Sequence, residues 1–231
     1  MTNFTLRRMF GNRRTIVTYT FLAIQIIAFL LMTINGGSTN IYTLINFGAK
    51  FNPAILAGEL WRLVTPIFLH IGFMHILLNS ITLYFLGTQL ELIYGNFRFA
   101  LIYLLGGLMG NIVSFAFSEA VSAGASTSLF GLFATAVVLG RLYPNNYAIR
   151  NMAQGFMLLI ILNFVNGLAS PSIDNWGHLG GAIGGGLATM FISVPGMVAV
   201  DRGTRIKTFL SYVILAVSLI LFGFIRNGMI Y

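Results

Sequence analysis

Only 8% of the 231 residues are charged, so the few groups able to do chemistry stand out from a 57% hydrophobic background. The candidates are His70, His75 and His178, with Asn79, Asn111, Asn163 and Asn166 and the serines at 114, 126 and 128. Metal-dependent proteolysis would need two histidines one helical turn apart with a glutamate, as in H-E-x-x-H. His70 and His75 are five positions apart, which on one helix sets them about 140° apart, and no Glu lies between them. A carboxylate-pair protease would need two acids within the membrane. The only aspartates, Asp174 and Asp201, flank one apolar stretch and fall near opposite faces of a bilayer. With no cysteine in the chain, thiol proteases, Cys-ligated zinc and iron–sulfur clusters are excluded.

Nucleophilic serine chemistry can be built. Gly124-Ala125-Ser126 is a small-x-Ser segment that exposes a hydroxyl at a helix start, where unpaired backbone N–H groups can stabilise an oxyanion. Read alone, Ser126 serves equally well as a small residue that lets helices pack. A general base is available in His178, which opens the run Gly177 to Gly186; its bland reading is a hydrogen-bonded structural histidine at the interface.

The elements that position these groups follow from composition. Soluble domains are about 25% charged, so a chain at 8% belongs in lipid. Uncharged stretches predict seven transmembrane helices near 15–34, 68–90, 97–118, 126–142, 150–169, 177–194 and 208–226, each near the length that crosses a hydrocarbon core. The connection 35–67, with Pro53, Trp61 and Arg62, is too polar to span and is expected at the interface. Four arginines before the first span resemble the front of a signal peptide, but the apolar run is too long and lacks a small-residue cleavage site, so a retained helix is expected.

The net charge of +8 would suggest nucleic acid in a soluble chain. Here it sorts by side: Arg7, Arg8, Arg13, Arg14, Arg98, Arg141, Arg150, Arg202, Arg205 and Lys207 lie on one side, and Lys50, Arg62 and Arg226 on the other. The expected topology is a multi-pass protein of the cell membrane with a cytoplasmic N-terminus and an outer C-terminus. Spans two, four and six then run from outside to inside, so His75, Ser126 and His178 share a shallow depth below the outer face. Gly181 and Gly185 follow His178 at i+3 and i+7, a nearly bare face that fits close approach of the fourth span at Ser126 and Gly131. Asn79 follows His75 at i+4, so both side chains can donate to a developing oxyanion.

At these residues the sequence resembles the rhomboid family of intramembrane serine proteases, over about 59 to 186. Trp61-Arg62 through Thr65, Phe68 and His70 resembles the family's W-R-x-x-T-x-x-F-x-H. His75 to Asn79 resembles its H-x-x-x-N, and Gly87 to Gly95, with Glu91, its G-x-x-x-E-x-x-x-G. Gly124-Ala125-Ser126 and His178-Leu179-Gly180-Gly181 resemble its two catalytic motifs, in the same order.

The resemblance implies an all-α membrane bundle: a cytoplasmic tail 1–14, a six-helix protease core 15–200, and a connecting loop with an extra C-terminal helix 201–231. It implies a Ser126 nucleophile, a His178 base, and an oxyanion hole of His75, Asn79 and the Ser126 N–H, supported by Gly124, Phe130 and Gly181. Glu91 and Arg62 would be structural and 35–67 the partly embedded first loop. The dyad needs no carboxylate, so Asp174 is not expected as a third member. No metal, nucleotide or other cofactor is required, and the partners are the lipid bilayer and transmembrane protein substrates.

Two departures stand out. Thr127 follows the serine where the family often has Gly, and a β-branched residue there restricts the backbone. Phe130 replaces a frequent Tyr; it can stack on His178 without offering a hydroxyl. Lateral access in the family lies between helices two and five, which makes Phe156 and Phe164 candidate gate residues and 169–176 a capping loop. The alternatives are a catalytically silent relative that binds transmembrane segments, which would typically have lost Ser or His, and a transporter, which would predict an ionisable group near mid-bilayer.

Overall fold

The structure, a computed structural model, describes residues 14–168, 173–197 and 199–228, without the side chains of 158–160, 162–164 and 166–168. Most of the expected tail 1–14, the Phe164 side chain and part of the 169–176 loop therefore lie outside the described residues. The long helices are α1 (Ile16–Ile34), α2 (Phe73–Tyr94), α3 (Asn96–Phe117), α4 (Ser126–Leu142), α5 (Tyr147–Leu168), α6 (Asn175–Phe191) and α7 (Arg202–Gly228). Of these, α1, α2, α3 and α7 are long and apolar enough to cross a membrane. Among the described residues there is no strand; one isolated bridge joins Lys50 and Ser122.

Helix ends match local chemistry. α2 begins at Phe73, not at the expected 68, because Pro66 opens a short 3₁₀ turn over Thr65–Phe68 and Gly72 then takes φ +79°. A π turn at Leu83–Gly87 interrupts α2 where Gly87 meets Thr18 of α1. α7 starts earlier than expected because Asp201 caps it, accepting from Thr204 N at 3.0 Å and Thr204 Oγ1 at 2.6 Å.

The architecture is a helical bundle with α3 at its centre and α1 and α7 exposed along most of their lengths. Glycines let α3, α4 and α6 approach backbone to backbone. A Cβ on Gly106 would stand 3.2 Å from Gly131 Cα, and one on Gly180 would stand 2.8 Å from the Met109 carbonyl. α7 runs parallel to α3 and packs on both α3 and α6, with Tyr212 Oη donating to Leu105 O at 2.8 Å, Gly223 against the Phe115 ring and Phe191 of α6 against Phe209 and Tyr212.

The connection 35–67 holds two short helices, Ile41–Phe47 and Asn52–Leu56. Buried Arg62 fastens it, donating to Ile45 O at 2.7 Å, Ala49 O at 3.1 Å and Glu59 Oε2 at 2.6 Å. Glu91 is fully buried at the other end of the molecule. Its carboxylate accepts from Val17 N and Thr18 N at 2.8 Å each and from Thr18 Oγ1 at 2.6 Å, closing the first turn of α1.

Candidate active site

Ser126 is the first residue of α4, and His178 lies in the first turn of α6. The two helices meet on glycine: a Cβ on Gly181 would sit 2.0 Å from the Thr127 carbonyl, and one on Gly185 2.2 Å from the Gly131 carbonyl. That proximity brings His178 Nε2 to 2.9 Å from Ser126 Oγ, within reach for proton transfer. Phe130, one turn along α4, lies flat on the imidazole with centroids 4.1 Å apart and planes at 11°. The ring therefore has its plane set by Phe130 and its direction by the bond to Ser126.

His178 Nδ1 has no hydrogen-bond partner among the described residues. Asp174, the nearest acid in sequence, spends its carboxylate elsewhere. Its Oδ1 accepts from Gly177 N at 2.9 Å as the cap of α6, and its Oδ2 accepts from Ser114 Oγ. The acid thus ties α6 to α3 and does not bond the imidazole.

His75 and Asn79 stand one turn apart on α2. The peptide N–H of Ile71 donates to His75 Nδ1 at 3.4 Å, so a neutral ring carries its proton on Nε2. Gly124 lies against that edge of the ring: a Cβ there would lie 2.7 Å from His75 Cε1, 2.9 Å from His75 Nε2 and 3.4 Å from Ser126 Oγ. Gly124 therefore leaves open the space between serine and histidine. Asn79 is buried, and its Nδ2 has no protein acceptor among the described residues. The Ser126 N–H belongs to the helix's first turn, whose donors have no intrahelical partners.

One position departs from the spacing arguments. His70 precedes α2 and is not one of its residues, so the 140° separation from His75 does not apply; the two rings meet edge to face at 5.2 Å. His70 Nε2 also accepts from Ala125 N at 3.4 Å, which holds the residue before the serine. Thr127 is helical, and no described non-glycine residue has positive φ; its side chain fills the gap between Gly110 and Gly177. Phe156 packs on Phe133 of α4 at 5.8 Å. The central place of α3 could have been read from Gly106, Gly107 and Gly110, which carry the same small-residue spacing as Gly180, Gly181 and Gly184 of α6.

A serine bonded to a histidine, on two helices that open side by side in an apolar bundle, is an arrangement able to do nucleophilic serine chemistry. A family model for the Rhomboid domain matches residues 57–195, and the chain belongs to the rhomboid family, as a multi-pass membrane protein. It is 43% identical over 215 residues to the rhomboid protease GluP of Bacillus subtilis (strain 168), covering 93% of this chain and 42% of that protein. It is 34% identical over 149 residues to rhomboid-like protease 1 of Toxoplasma gondii, covering 62% of this chain and 50% of the relative. It is also 31% identical over 172 residues to YdcA of Bacillus subtilis (strain 168), covering 74% of this chain and 84% of that protein. The chain thus spans about half the length of the first two relatives.

Proposed function

We propose that this chain is an intramembrane serine endopeptidase that cleaves peptide bonds in or near transmembrane helices. The observation that carries the reading is the 2.9 Å approach of His178 Nε2 to Ser126 Oγ beside the open space at Gly124. His178 Nε2 takes the Ser126 hydroxyl proton as Oγ attacks the scissile carbonyl carbon, forming the C–O bond and placing negative charge on the carbonyl oxygen. His75 Nε2–H, Asn79 Nδ2–H and the Ser126 N–H face that charge. The tetrahedral species collapses as His178 returns the proton to the leaving amine. A water, deprotonated by the same imidazole, then releases the acyl group.

A helical peptide bond is shielded by its own turn, so substrates must unwind locally, and small or helix-breaking residues near the cleaved bond are favoured. The chain divides as a tail 1–14, a six-helix core 15–200 and an added segment 201–231, with the N-terminus cytoplasmic, the C-terminus outside and the site opening outward. The split of basic residues supports this orientation.

The test is cleavage of a single-span model substrate by purified protein beside Ser126→Ala and His178→Ala. Removing a catalytic dyad member costs on the order of 10⁴-fold or more in rate, so both variants should be inactive. Undiminished cleavage by both, or none by the unaltered protein, would overturn the reading.

A further inference from the structure

The outer end of α3 is satisfied almost entirely by residues distant in sequence. A helix leaves its last carbonyls without intrahelical donors. Here Asn227 Nδ2 donates to Phe115 O at 2.9 Å, and Arg226 Nη1 donates to Ala116 O at 3.2 Å. Just past the helix, Ser118 O accepts from Lys50 Nζ at 2.8 Å and from Asn52 Nδ2 at 3.0 Å. Asn52 Nδ2 also donates to Asn227 Oδ1 at 2.9 Å. Asn52, Asn227 and Lys50 are fully buried, and the cations Lys50 and Arg226 complement the negative end of the α3 dipole.

This knot sits where both halves of the candidate dyad are anchored. From Ser118 the chain runs to Ser126 under close restraint. Lys50 and Ser122 exchange backbone bonds at 2.9 and 3.1 Å, and Gly124 N donates to Pro66 O at 2.9 Å. One turn back on α3, Ser114 holds Asp174, the cap of the helix that carries His178. Moving the end of α3 therefore shifts the serine loop and the histidine helix relative to each other.

We propose that Asn227 is a positioning residue, and that α7 braces the outer end of α3 so that Ser126 and His178 keep their spacing. The brace deepens the protease reading and rests on it for its kinetic consequence. Asn227 touches no reacting atom; it acts through Phe115 O and Asn52. A displacement of about 1 Å in a catalytic pair can cost on the order of a hundredfold in rate.

The experiment compares full-length protein with Asn227→Leu, Asn227→Asp, Asn52→Leu and the double Asn52→Leu/Asn227→Leu. It reads kcat and KM on the single-span substrate, and amide exchange of 118–125 in the same samples. The brace predicts a kcat loss of about tenfold or more in Asn227→Leu with KM unchanged, and faster exchange at Ser122 and Gly124. The double variant should be little worse than the worse single, because the two asparagines share one bond. Asn227→Asp keeps the acceptor for Asn52 but sets a carboxylate oxygen against the carbonyls of Phe115 and Gly223, so it should lose kcat as Asn227→Leu does.

Unchanged kcat and unchanged exchange in Asn227→Leu would overturn the brace. So would a kcat loss without faster exchange, or one that vanishes when rates are referred to folded protein. Should Asn227→Leu fail to fold, Asn52→Leu reads the bond between the two asparagines and Asn227→Asp the bond to Phe115 O, by the same criteria. If the unaltered protein cleaves nothing, the protease reading fails, and exchange at 118–125 alone decides whether the brace exists.

Discussion

At the scale of residues, the site depends on how each ring is held. Phe130 stacks on His178 at 4.1 Å, a pairing worth about 0.5–1.5 kcal/mol, which corresponds to a factor of about 2–10 in rate if the stack persists in the transition state. Phe130→Ala should therefore lower kcat several-fold and Phe130→Tyr should not, as steady-state cleavage of one substrate would show; equal activity of all three proteins would remove the stack from the mechanism.

Lys50 makes a different kind of prediction. Burial pushes its ammonium from 10.5 down to about 8. Asp174 and Glu119 pull the value up and Arg226 pushes it further down, but burial is the largest influence. Between those two values the unfolded chain holds a proton that the folded chain has lost, so the fold gains stability as pH rises from about 8 to about 10.5. The apparent melting temperature of the unaltered protein, measured against Lys50→Met, should rise across that window, and a flat difference would contradict the assignment. Ser126, His178, His75 and Asn79 could be named as candidates from the sequence because chemistry restricts the residue types and topology restricts their depth. The contacts of Lys50 with Ser118 and of His70 with Ala125 could not be read there, because no local spacing encodes them.

At the scale of elements, glycine spacing did most to specify the packing. The approach of the fourth and sixth spans could be read from Gly181, Gly185 and Gly131, and the expected limits 126–142 of the fourth span are those of α4. The start of α2 was less readable, since a hydropathy run continues through Ile67, Phe68 and Leu69 while Pro66 and Gly72 shape the backbone. Glu91 shows an element joined by a single side chain. Its two oxygens accept three bonds from α1, and Glu91→Gln would turn an amide donor toward one of those donors. That conflict should cost on the order of 2 kcal/mol, seen as a lower apparent melting temperature in detergent. The kcat of the folded fraction should stay nearly unchanged, because Glu91 lies at the opposite end of α2 from His75; a large kcat loss without destabilisation would contradict a structural role.

At the scale of the molecule, low charge identified a membrane chain, and the placement of its basic residues supports the proposed orientation. The starts of α4 and α6 meet at Ser126 and His178, and α3 at the centre joins them through Ser114 and the loop beyond Phe117. Ser126 and His178 are 52 positions apart in the chain, so their bond exists only when the bundle is assembled. Reactivity of Ser126 is consequently a readout of the whole fold. The most direct measurement is labelling of the detergent-solubilised protein with a fluorophosphonate, followed by mapping of the adduct by mass spectrometry. The account predicts one adduct on Ser126, abolished in Ser126→Ala and suppressed in His178→Ala. An adduct on another serine, or undiminished Ser126 labelling in His178→Ala, would contradict it.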